Sequence, residues 1–159
     1  MRFYKKASGV KTVSRPEALE SALCYGWIDG QAKPLDSESW IQKFTPRRPK
    51  SQWSKINIGH VKRLAESGKM KPAGLAAVES AKADGRWHAA YDSPANASPP
   101  ADFLKELAKD KPARKFFETL NKANRYAIVW RLQTAKKPVT RARRMKAILE
   151  MLAQEKKFH

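Results

Sequence analysis

The sequence has one cysteine and three histidines, and neither residue type is placed for metal chemistry: Cys24 stands alone, and His60, His88 and His159 lie far apart. Zinc and similar ions need ligands at short, fixed spacings, so no metal site is expected. A lone cysteine cannot close an internal disulfide, which fits a reducing compartment, and Cys24 reads as a small buried apolar residue. The seven glycines are scattered, so no Gly-rich loop cradles a phosphate, and no cofactor is expected. No Ser, His and Asp arrangement announces a nucleophile. No apolar run approaches the ~18 to 20 residues that span a bilayer. The N-terminus lacks an apolar stretch of signal type, and a cytoplasmic location is the expectation.

Acidic residues are also scarce. Fifteen Asp and Glu face 33 Lys and Arg, leaving a net charge of +18. The excess is concentrated in two segments: residues 43–71 hold nine cations against Glu66, and residues 111–146 hold twelve against Glu118. Such a potential steers a protein towards anions, and the partner expected is anionic, either a nucleic acid or an acidic protein. A chain of 159 residues is long enough for one ordinary domain with a real core.

What is present is most concentrated between residues 23 and 57. This stretch carries Trp27, Trp40 and Trp53 and the cations Arg47, Arg48, Lys50 and Lys55 among prolines. Aromatic rings supply apolar area to a core and also populate binding surfaces, so the stretch is a candidate for both. Just before it, Ser14 and Glu17 have the spacing of a capping box and Pro16 suits a first turn, which predicts a helix from about Arg15. Leu19, Ala22 and Leu23 share one face, and Gly26 suits a left-handed residue closing the last turn. The period then changes to two. Trp40, Gln42 and Phe44 alternate with Ile41, Lys43 and Thr45 as in a strand, with residues 27–31 as its partner. Both Asp29-Gly30 and residues 34–37 are turn-prone, and either could carry the reversal.

The sequence GWIDG, the run WIQKFTPRRPKSQWSKIN and the later TRARR resemble the bacterial YdeI or OmpD-associated family, also described as bacteriocin-protection proteins. The resemblance spans nearly all of the chain. In that family the FYKK element usually follows a further stretch of chain, whereas here Met1 and Arg2 lead directly into it. The resemblance implies a protective or stress-resistance role with no agreed reaction, and a helical module over roughly residues 99–156. It supplies no catalytic residue.

After Asn57 the pattern is helical. Ile58, Val61, Leu64 and Ala65 recur at helical spacing up to Gly68, and an Ala-rich helix should run over residues 72–83. Periodicity lapses between Gly85 and Pro100, which reads as a linker or loop. Further helices are expected after Pro100, with Phe103, Leu104 and Leu107 inward; around Phe116, Phe117 and Leu120; after an Asn121 or Asn124 cap; and after Pro138, capped by Thr140. In the last helix Met145, Ile148, Leu149 and Leu152 form the apolar stripe. Arg141, Arg143 and Arg144 crowd its positive N-terminal end, which calls for an acidic neighbour or an anionic ligand.

The expected architecture is therefore α+β and mainly helical, with a small antiparallel sheet near the N-terminus followed by a C-terminal helical bundle. Its parts are a mixed portion over 1–86, a linker over 87–99 and a helical portion over 100–159. The candidate anion- or ligand-binding residues are Trp27, Asp29, Arg47, Arg48, Lys50, Trp53, Arg141, Arg143 and Arg144, with no catalytic residue assigned. The leading functional reading is a non-enzymatic protective protein that binds an anionic partner. A nucleic-acid-binding protein, with bases stacked on Trp53, is one alternative. Another is an enzyme acting on an anionic small molecule through Asp29, Arg47 and Arg48.

Overall fold

Ser14 starts the first helix as its spacing to Glu17 requires. In the computed structural model, which describes residues 1–159, the Glu17 backbone N–H donates to the Ser14 hydroxyl while the Ser14 N–H donates to the Glu17 carboxylate at 2.8 Å. Helix α1 (Arg15–Cys24) follows, and Gly26, at φ 75°, leads the chain out of it. The chain divides into two compact units, Met1–Ala90 and Tyr91–His159. It has seven α-helices and one three-stranded antiparallel sheet.

In the first unit β1 (Arg2–Tyr4), β2 (Trp27–Pro34) and β3 (Ser39–Pro46) form the sheet in the order β1-β3-β2. The pairings Phe3 with Trp40 and Asp29 with Phe44 put Phe3, Trp40, Gln42, Phe44 and Asp29 on one face. The hairpin reverses after Pro34. Asp29-Gly30 instead begins a β-bulge, where the register slips between Asp29 and Ala32. Phe3 is stacked on Trp40 at 4.6 Å and is 2% exposed.

Helices α2 (Lys55–Glu66) and α3 (Pro72–Ala83) complete this unit. Their core joins Leu19, Leu23, Val61, Leu64 and Val78 to Trp53. Cys24 lies in the same core, and burial pushes its thiol pKa up, as expected for an inert structural cysteine. Ala65, expected on the inner face of α2, is exposed, and Asn57 is buried at the start of that helix.

The α1–α3 junction depends on a missing side chain. A Cβ on Gly74 would run into the Cys24 carbonyl and stand 2.9 Å from the Met70 methyl, and that carbonyl already accepts the Lys71 N–H at 3.0 Å. Gly74→Ala should therefore cost about 1 to 3 kcal/mol by overpacking, although alanine is the better helix former. Chemical denaturation checks this, and a variant as stable as the wild type would mean that the two helices are not in backbone contact.

The second unit is built from α4 (Ala101–Leu107), α5 (Lys111–Thr119), α6 (Lys122–Gln133) and α7 (Pro138–Ala153). Its core gathers Phe103, Leu107, Phe117, Ile128, Leu132, Ile148 and Leu152. Asp110 caps α5 and Asn121 caps α6, whereas Asn124 is buried and accepts the Phe158 and His159 N–H groups. Leu104 does not face inward and is 45% exposed, because Phe103 and Leu107, four residues apart, already define the buried stripe of so short a helix. Leu149 is likewise only half-buried, since Ile148 and Leu152 occupy the inner positions. Helix α7 starts at Pro138 with Lys137 as its N-cap, so Thr140 lies inside the first turn and does not cap it.

Candidate anion-binding surfaces

Trp53 is core. It is 2% exposed, with the Arg47 guanidinium 3.6 Å over its ring and Trp87 edge-on at 5.1 Å, so it has no free face for a base or ring. The expected stacking platform is thus absent at this position. Arg47 also donates from Nη1 to the Gln52 carbonyl at 3.1 Å, and its own N–H holds the Gly26 carbonyl at 2.9 Å. The loop it belongs to is fixed from a second side by Arg86, a residue the sequence reading passed over. Arg86 is 5% exposed and reaches Asp84, the Ser51 carbonyl and the Ser80 hydroxyl. Arg48 and Lys50 point outward from this loop.

Trp27 is 41% exposed at the start of β2. Asp29 is held by Arg15 at 2.5 Å and by the Gln42 side-chain amide at 3.3 Å, and Gln42 is itself buried beside the Gly30 carbonyl. A carboxylate tied in this way links the bulge of β2 to α1 and β3. Nearby, Glu20 accepts from His60 and Arg63, and the His60 hydrogen bond leads in holding its carboxyl below the usual range.

In the second unit the arginines of α7 separate by role. Arg141 forms a bidentate pair with Asp102, whose carboxyl pKa is lowered chiefly by that hydrogen bond. This is the acidic neighbour that the N-terminal cations called for, but it serves one of them only. Arg144 donates to the Arg131 carbonyl at 2.8 Å and to the Thr134 hydroxyl at 3.3 Å, so it closes the C-terminal end of α6. Arg143 is exposed and paired with no acid, as are Lys136 and Lys137 just before the helix. The first turn of α7 contains no acid and its N-cap makes no side-chain hydrogen bond. Lys136 and Lys137 were part of the basic segment read from the sequence but were not singled out there.

The structure places Arg47, Arg48, Lys50, Trp27, Asp29 and Trp53 in the first unit and Arg141, Arg143 and Arg144 in the second. Residues 96–155 match a family described as bacteriocin-protection, YdeI or OmpD-associated. Residues 1–77 match a domain of unknown function (DUF8412). No curated protein and no solved structure matches the chain. The TRARR sequence thus lies within the OmpD-associated segment, while GWIDG and the Trp40-to-Asn57 run lie in the DUF8412 segment. None of the helices is long and apolar enough to cross a membrane.

Proposed function

We propose that the protein is a non-enzymatic, bacteriocin-protection or stress-resistance type factor that binds an anionic partner through its OmpD-associated segment. The observation that carries this reading is the set of cations left without acids around the start of α7. Lys136, Lys137 and Arg143 have no ion-pair partner, and Arg144 shares its charge only with a carbonyl and a hydroxyl. A helix N-terminus is already partly positive, so these cations raise the local potential and are retained at some cost to helix stability. An anion would offset that cost. The involvement of Asp29 with Arg15 and Gln42 argues against the enzymatic reading, which needed a free carboxylate.

The nucleic-acid alternative has one supporting feature. Trp130 is 36% exposed and lines a cleft of about 280 Å³ with Arg131 and Arg144, which places a ring beside cations. The test compares heparin, DNA and RNA binding at low salt. Lys137→Gln with Arg143→Gln should weaken all three by about tenfold or more, because both side chains are exposed and neither holds a side-chain hydrogen bond in the fold. Trp130→Ala should leave heparin unaffected if the partner is a simple polyanion. A loss confined to DNA and RNA would favour the nucleic-acid reading. Equal binding of all three polyanions by the wild type and the double variant would refute the anionic-partner proposal.

A further inference from the structure

A second basic site lies in the DUF8412 segment. A cleft of about 440 Å³ opens between β1, the start of β3 and the loop over residues 9–14. Its walls are apolar: Trp40 is half-buried and backed on one side by Phe3, and Val10 and Val13, 47% and 46% exposed, line the same space. Its charged lining is entirely cationic. Lys5, Lys6, Lys11 and Arg15 border it, and no acid does. Two of these four are committed elsewhere, Lys5 to the Ser37 carbonyl at 2.8 Å and Arg15 to Asp29 and Gln42. Lys6 and Lys11 are exposed and have no acid partner. The Lys11, Thr12 and Val13 backbone N–H groups also make no hydrogen bond within the protein. The 3-10 turn at Lys6–Ser8, closed by Gly9 at φ 71°, is what turns this loop back along the sheet.

From this arrangement we infer that the cleft binds a planar aromatic ring carrying a phosphate, the chemistry shared by a nucleoside monophosphate and a simple aryl phosphate. A bare polyanion has no use for two valines and an indole, and an uncharged ring has no use for a rim of cations without acids. An amphipathic anion uses both, with the ring against Trp40, Val10 and Val13 and the phosphate at Lys6, Lys11 and the free loop N–H groups. The volume lies within the range of ordinary small-molecule sites.

The test is calorimetric titration of the full-length protein with four probes: AMP, phenyl phosphate, adenosine and inorganic phosphate. AMP or phenyl phosphate should bind at least about tenfold more tightly than either adenosine or phosphate, since each of those lacks one half of the recognition. Tighter binding of AMP than of phenyl phosphate would identify a nucleotide-type ligand, and the reverse order would identify a smaller aryl phosphate. Lys6→Gln with Lys11→Gln should weaken the preferred probe by about tenfold or more, and both changes are at exposed positions that leave the fold intact. The Lys137→Gln, Arg143→Gln protein should titrate like the wild type, which separates this site from the polyanion surface of α7. Absence of binding by both aromatic phosphates would overturn the inference. So would inorganic phosphate binding as tightly as AMP, or an affinity unchanged in the Lys6, Lys11 variant.

Discussion

Trp53→Ala should destabilise the first unit by about 3 to 5 kcal/mol while leaving the polyanion affinity of the folded protein unchanged. The indole fills the space between the Arg47 guanidinium and Trp87 and is 2% exposed, so truncation leaves a large cavity. Its Nε1 has no hydrogen-bond partner, so the cost comes from lost packing and not from a broken polar network. Trp53→Phe should therefore recover much of the stability. Denaturant unfolding followed alongside heparin titration checks both halves. A variant that melts like the wild type but loses its ligand would place the ring at the surface.

Phe103→Ala should cost the second unit about 3 to 5 kcal/mol, and Leu149→Ala distinctly less. Phe103 is 0% exposed and meets the edge of Phe117 at 5.5 Å, near the centre of a core closed by Ile128, Leu132 and Leu152. Leu149 is half-buried against that core, beside a shallow cleft with Met145 and Pro138, so part of its side chain is solvated in either state. Thermal unfolding of the two variants ranks them. If Leu149→Ala lowered the midpoint as much as Phe103→Ala, the inner face of α7 would be turned towards Leu149 and away from Ile148.

The features that were legible in the sequence are those written in local spacing. The Ser14–Glu17 box, the two-residue period through Phe44, the glycine exits after α1 and α2, and the helical stripes of the second unit all follow from neighbours within a few residues. The candidate site was less legible because its state depends on distant partners. A tryptophan among prolines and cations reads the same whether it stacks on a ligand or is buried, and Trp53 is decided by Trp87, which lies in another part of the chain. Arg141 resembles Arg143 in sequence, yet Asp102, 39 residues away, pairs with the first and nothing acidic pairs with the second. Asp29-Gly30 has turn composition, but the reversal falls after Pro34 because Ala32 to Pro34 still pair with Trp40 to Gln42, and the glycine is absorbed by a bulge. The cleft beside Trp40 was invisible for the same reason: it needs β3 to lie beside β1 before Lys6, Lys11 and the valines share a space.

The central claim, that the cations around the start of α7 hold an anion, is tested most directly by the salt dependence of heparin or DNA binding to the full-length protein. Each neutralised phosphate releases a counterion and contributes roughly −0.7 to −0.9 to the slope of log affinity against log salt. With Lys136, Lys137, Arg143 and Arg144 engaged, the slope should be about −2.8 to −3.6, falling in magnitude by about 1.4 to 1.8 in the Lys137→Gln, Arg143→Gln protein. A slope near zero, or the same steep slope in wild type and variant, would contradict the assignment of the anion to this surface.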